Sequence, residues 1–333
     1  MSASSHSFSR EEMLPEAAWE DVEKLEVWRR ELRARNREGK QILATSVLVA
    51  VLWFFAMKAL LPGDGLFLAV VMPLLGLLVM WFLVDSRCFK FGETDYQREF
   101  KKRVVGVLLA ALAPEMRLEP QAGLGRDWFM ASRLFASRPD RYGSEDLFSG
   151  RVGKTDLKFC EVHAEEKRRQ TDSNGRSKTY YVTTFRGILL VADFNKHFRS
   201  WVTVMPDVAE RYFGFLGQKL QELGGDVQRM ESAEFEDLFV ARGPDAVESR
   251  YLLTLAMQER LVALRRRLGV DFRLSLHDSR LWLAFPQISN WFEGDWRLPA
   301  DDRAQMREIL NQMRWCVQIV EELDLNTRIW TKE

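Results

Sequence analysis

The chain has 333 residues, of which 48 are basic and 48 acidic, so its formal net charge is zero, and 47% of its residues are hydrophobic. That balance disfavours a nucleic-acid-binding domain, which would carry a basic excess to meet phosphate. Cys88, Cys160 and Cys316 are widely spaced, with no Cys-x-x-Cys pair; they offer neither a disulfide framework nor a zinc cluster and suit a reducing compartment.

Residues 1–14 are Ser-rich and are expected to form a disordered tail. Residues 15–40 predict an amphipathic juxtamembrane helix, because Ala18, Val22, Leu25, Trp28 and Leu32 recur at helical spacing with acids early and arginines late. Its Trp19, Trp28 and arginine cluster suit a membrane surface or a partner helix, and equally a helix packed on the main domain.

Residues 41–85 predict a transmembrane hairpin. QILATSVLVAVLWFFAMKALL would span about 31 Å as a helix and LFLAVVMPLLGLLVMWFLV about 28 Å, against a hydrocarbon core of about 30 Å. Only Pro62-Gly63-Asp64-Gly65 separates them. Lys58 lies near the end of the first stretch, where its ammonium can snorkel to the headgroups. Arg29, Arg30, Arg33, Arg35, Arg37 and Lys40 precede the pair, while Arg87, Lys90, Arg98, Lys101, Lys102 and Arg103 follow it. Basic residues beside a span resist translocation, so both termini are expected in the cytoplasm of a multi-pass membrane protein. The lipid bilayer is then the first expected partner.

Residues 86–116 predict a further juxtamembrane helix, its regular part at 94–113 ended by Pro114. Residues 117–333 read as a cytoplasmic α+β domain with a mainly antiparallel sheet and packed helices. A hairpin is expected over 145–168 with its turn at Gly153-Lys154, followed by a polar loop at 171–178. YYVTTFRGILLVADF predicts a central strand, because ILLVA is apolar on both faces, and WVTVM another strand ended by Pro206. Helices are expected from Val208 to Leu223, from Leu255 to Leu268 and from Asp301 to Leu323, with a second hairpin at 270–277 and 280–286.

The strings SRLFASRPDRYGSEDLFSGRVGKTDLKFCEVHAEEK, FRGILLVADFNKHF, VESRYLLT and LNTRIWTK resemble the bacterial family known as domain of unknown function 3137, over about residues 117–333. The resemblance implies a protein anchored in the bacterial inner membrane whose hairpin precedes a cytoplasmic domain, and a partner in a LemA-type membrane protein, since some members are encoded near one. The family supplies no activity, so no catalytic or binding residue carries over. Cys160 departs from the smaller polar residue usual before the family's Glu-Val-His, which weakens the idea of a catalytic thiol.

Gly150-Arg-Val-Gly-Lys154-Thr155 imitates a phosphate loop, but its gap is two residues where four are required and a strand follows where a helix must. A hairpin turn is expected, and neither a cofactor nor a metal. The chemistry-bearing candidates are Glu161, His163 and Glu165, which strand alternation puts on one face about 7 Å apart, away from Cys160, Val162 and Ala164. Carboxylates flanking an imidazole can fix its tautomer and raise its basicity, and Asp193 and His197 offer a second segment to converge on the row. The alternative is a solvated sheet face on which Asp193 and Asn195 are turn formers. In FPQISNWFEGDW, Trp291, Phe292 and Trp296 suit either a binding surface or loop packing.

Two functions follow. The first is a noncatalytic scaffold or sensor module held at the inner membrane, acting through protein contacts and able to form a homo-oligomer. The second is a membrane-tethered hydrolase or lipid-modifying enzyme using the Glu161-His163-Glu165 row. Clustering of these side chains in a concave pocket would favour the enzyme, and dispersal over a flat sheet the module.

Overall fold

The computed structural model describes residues 16–60, 66–84, 90–171, 177–196, 198–207, 224–287 and 291–326. The expected disordered tail, the helix at 208–223 and His197 lie outside the described residues. The chain divides into two compact units, Met1–Val107 with Glu293–Glu308, and Leu108–Phe292 with Ile309–Glu333.

The first unit begins with α1, Glu16–Leu60, a single helix of 45 residues. Two helices meeting near Gly39 were expected; the helix instead runs through, because one interior glycine costs only about 1 kcal/mol and no proline or capping residue accompanies it. Its stretch Trp19–Ala56 contains a window long and apolar enough to cross a membrane, and only 6% of that window is buried. α2, Leu66–Val84, has 19 residues and holds Pro73 in its interior; among the residues with described side chains its apolar stretch is Val70–Leu83. Val49, Leu52 and Phe55 of α1 and Leu74, Leu78 and Phe82 of α2 are all exposed. Thr45 and Ser46 donate their hydroxyls to Gln41, Ile42 and Leu43 carbonyls, so they ask nothing of a solvent.

The N-terminal half of α1 is packed. Val22 and Leu25 are buried, and Trp28 lies 6.2 Å from Tyr96 of α3, Lys90–Phe100. α3 continues into a π-helical turn, Lys101–Val105, and α4, Gly106–Leu112, in place of the one regular helix expected. Gly294 meets the Phe100 ring so closely that a Cβ would lie 2.6 Å from it. A buried charge cluster ties α1 to the segment after Gly294. Glu26 accepts from Arg29 Nε and Nη2, both at 2.7 Å, from Arg30 Nε at 2.8 Å and from the Ala300 amide at 2.8 Å. Arg29 donates onward to the Trp296 carbonyl at 3.2 Å.

The second unit is an α+β domain on one nine-stranded sheet. Its strands are β1 (Met116–Glu119), β2 (Arg141–Val152), β3 (Thr155–Thr171), β4 (Ser177–Asp193), β5 (Val202–Pro206), β6 (Asp226–Gln228), β7 (Phe239–Gly243), β8 (Arg273–His277) and β9 (Arg280–Pro286). They are ordered β1-β2-β3-β4-β9-β8-β5-β7-β6, with antiparallel pairing throughout. Its helices are α5 (Arg126–Ala131), α6 (Ala233–Leu238), α7 (Ala246–Leu252), α8 (Leu255–Leu268) and, from Ile309 onward, α9 (Arg303–Glu322). α8 has both local signals a helix needs: the Thr254 hydroxyl accepts from the Met257 amide, and Gly269 takes the left-handed conformation at φ 65°.

Residues Ile188 to Ala192 of β4 are buried on both faces, as a strand inside a sheet demands. Cys160, Val162 and Ala164 of β3 join Phe129, Phe135, Phe185 and Trp282 in one core cluster. β3 and β4 outrun their neighbours. β2 pairs with β3 only as far as Glu165, and β9 with β4 only from Gly187, yet β3 and β4 stay paired to Thr171 and Ser177. The excess forms a two-stranded arm.

Candidate functional site

The register of β2, β3 and β4 decides what the Glu161-His163-Glu165 row can do. Across β2 these residues face Glu145, Gly143 and Arg141; across β4 they face Ile188, Arg186 and Thr183. Opposed residues share a face, so Glu145 and Arg186 join the row. Gly143 leaves space opposite His163, and a half-open hollow of about 400 Å³ results, lined by Glu145, Glu161, His163, Arg186 and Gln287 among others. The row is thus concave at one end.

Its members have separate commitments. Glu161 is buried, and its Oε1 accepts from the Trp291 amide at 2.5 Å. The next amide, that of Phe292, donates to Gln312 Oε1 at 3.0 Å. Two side chains thereby hold a turn in which Phe292 has φ 58°, a conformation uncommon for a bulky residue. The His163 side chain is 46% exposed, with Nε2 3.0 Å from Thr183 Oγ1. Glu165 Oε1 lies 4.0 Å from that nitrogen, beyond hydrogen-bond reach. On its other side Glu165 approaches Arg141 Nη1 at 3.9 Å, while the Arg141 guanidinium sits 3.4 Å above the Tyr181 ring. Glu165 is therefore shared between a half-exposed imidazole and a stacked arginine.

Of the expected second segment, His197 lies outside the described residues and Asp193 does not converge on the row. Asp193 pairs with Arg280 at the far end of β4, seven residues and roughly 23 Å from Arg186. Among the described residues, no group of three or more His, Cys, Asp or Glu side chains is placed to hold a metal ion. Cys160 faces the core; burial pushes its thiol up to about 12, so it stays protonated and unreactive near neutral pH. Gly153 occupies the β2–β3 turn at φ 63°, which confirms the glycine-lysine string as a hairpin turn.

The tryptophan loop is packed. Phe292 is fully buried, 4.6 Å from Phe148, and Trp291 meets Phe285 and Trp315 at 5.8 and 5.5 Å. Sequence reasoning missed Arg186 and Glu145 as neighbours of the row, because only the strand register reveals them. It also missed Glu161 as a support for the loop 130 residues away.

Residues 183–325 match the family model described as Protein of unknown function (DUF3137). Over that segment the chain is similar to the DUF3137 family. The DUF3137 match begins in β4 and ends just after α9, so it is narrower than the 117–333 expected and leaves Glu161 and His163 outside it. No curated protein and no solved structure matches the chain.

Proposed function

We propose that this protein is a membrane-anchored scaffold or sensor module whose α+β domain works in the cytoplasm through protein contacts. The observation that carries the reading is the belt of exposed apolar side chains on α1 and α2. Leu48, Leu52 and Phe55 are 59%, 61% and 62% exposed, and Leu74, Leu78 and Phe82 are 59%, 65% and 66% exposed. Soluble proteins rarely leave contiguous apolar patches beyond a few hundred Å² in water, whereas lipid covers such a belt at no cost. α1 and α2 then form the two spans of a hairpin in the inner membrane, and the flanking arginines keep both termini inside.

The β3–β4 arm is the contact surface. An isolated two-stranded ribbon is marginal in water, so one that outruns its sheet by several residues gains from a partner. The arm carries Lys167, Arg168, Arg169 and Lys178 with Tyr180 40% exposed, a composition suited to an acidic protein surface. A LemA-type membrane protein is one candidate for that partner. Glu161 and His163 line a shared hollow, but Glu165 is not among its lining residues and each of the three has its own partner, which favours this module over the hydrolase or lipid-modifying alternative.

Photo-crosslinkers placed at Lys167 and Tyr180 of the full chain, in intact cells, test the reading. A discrete crosslinked partner is expected from both positions, and the Tyr180 crosslink should be abolished by Lys167→Glu/Arg169→Glu with membrane retention unchanged. Absence of any crosslink from either position, with the chain in the membrane fraction, would reject the arm as the contact surface.

A further inference from the structure

Six cations converge where α1 approaches its apolar stretch. Arg29, Arg30, Arg33, Arg37 and Lys40 line one side of a pocket of about 540 Å³, and Trp296 and Arg297 close the other. Its walls are pinned: Arg29 donates to the Trp296 carbonyl at 3.2 Å and Arg33 Nη1 to the Arg297 carbonyl at 3.0 Å. The pocket is a built feature of the first unit, more than a coincidence of flexible side chains.

Its charge is not balanced from within. Glu26 serves Arg29 and Arg30, and Asp295 stands 4.0 Å from Arg297. Among the described residues, Arg33, Arg37 and Lys40 have no carboxylate at ion-pair distance, and no acidic residue lines the pocket. The Asn36 Oδ1 atom is buried there without a hydrogen-bond partner, and its amide can turn to present N–H donors instead. Converging guanidinium forks with no internal anion match the geometry of a phosphate.

Position identifies the source of that phosphate. Lys40 immediately precedes the first apolar stretch; Arg37 lies about 4.5 Å and Arg33 about 10 Å further from it along the helix. In a bilayer this is the depth of the headgroup layer, where tryptophan is also enriched, as Trp296 would be. Basic pockets at that depth are suited to anionic headgroups. We propose that this pocket binds the phosphodiester headgroup of an anionic membrane lipid. The proposal rests on the anchoring reading above and adds the lipid class to it.

The full chain is first floated with neutral phosphatidylcholine vesicles, which tests anchoring alone. It is then placed in neutral detergent, and its thermal midpoint is followed as phosphatidylglycerol is titrated, with phosphatidylcholine and inorganic phosphate as separate arms. Phosphatidylglycerol is expected to raise the midpoint saturably, and the other two to leave it unchanged. Arg37→Gln should weaken apparent affinity for the lipid about tenfold, and Arg37→Gln/Lys40→Gln should abolish the rise. Arg35→Gln, the same charge change on α1 outside the pocket, should retain it. An equal rise in the double variant would overturn the site, and a full rise with inorganic phosphate would overturn the lipid assignment. Failure of the wild-type chain to float would remove the anchoring reading and the lipid site with it, whereas flotation without any phosphatidylglycerol effect would remove the site alone.

Discussion

Removing Glu26 should loosen the first unit more than any other single charge change in it. The Glu26 and Arg29 side chains are 11% and 6% exposed, and the carboxylate accepts two bonds from Arg29, one from Arg30 and one from the Ala300 amide. Those donors, Arg29 foremost, hold its carboxyl down to about 2 from an ordinary value of 4.5. At about 1.4 kcal/mol per unit, the depression corresponds to about 3 kcal/mol of stabilisation at neutral pH. Deleting the carboxylate also strands the Arg29 guanidinium in a buried site, a situation that costs about 3 to 5 kcal/mol. Glu26→Ala should therefore reduce hydrogen-exchange protection of residues 19–32 and 296–301 by at least about a hundredfold at pH 7. Because the folded value lies below the unfolded one, the stabilisation is complete above about pH 4.5 and is lost as pH falls toward 2. Glu26→Leu/Arg29→Met should recover much of the loss, since it leaves no buried charge unpaired. Protection unchanged within twofold in Glu26→Ala, or a wild-type stability that rises on acidification through this window, would show that the Glu26 carboxylate does not hold this unit together.

Three further outcomes follow from the second unit. Phe292→Ala should destabilise it by about 3 to 5 kcal/mol in urea unfolding, because the ring is fully buried against Phe148 and Phe159. His163→Ala should change stability by no more than about 0.5 kcal/mol, and zinc or manganese should leave the wild-type and variant midpoints alike; a rise confined to wild type would restore a metal-site reading. In native alkylation at pH 8, Cys160 and Cys316 should remain unmodified and should react fully only after denaturation, since burial raises both thiols above their usual range. Native labelling of Cys160 would contradict the core packing.

The elements with strong local signals were legible in the sequence. The β2–β3 hairpin has a glycine at its turn, α8 is bracketed by Thr254 and Gly269, and the run Ile188 to Ala192 of β4 has no polar face to expose. Short elements were not. β1, β6 and β7 have four, three and five residues, too few to establish a period, and α6 and α7 are helices of only six and seven residues whose caps, Ser232 and Asp245, also occur in ordinary turns. The strand alternation that groups Glu161 with His163 was correct as to face. What it could not supply was the Trp291 amide, which reaches Glu161 through tertiary folding alone and turns a candidate acid-base group into a loop support. The unbroken α1 is similar: Gly39 looks like a stop only until the charge cluster around Glu26 and the apolar stretch beyond Lys40 hold helix on both sides of it.

Topology tests the account most directly, because anchoring, arm and lipid pocket all require the same side of the membrane. Paired alkaline phosphatase and green fluorescent protein fusions at Lys40, at Asp64 and after Glu333, in a bacterial host, read the side of each point. Fluorescence without phosphatase activity at Lys40 and Glu333, and phosphatase activity at Asp64, are the predicted pattern. Phosphatase activity at Lys40 or Glu333, or fluorescence at all three points from a chain recovered in the soluble fraction, would contradict the hairpin anchor.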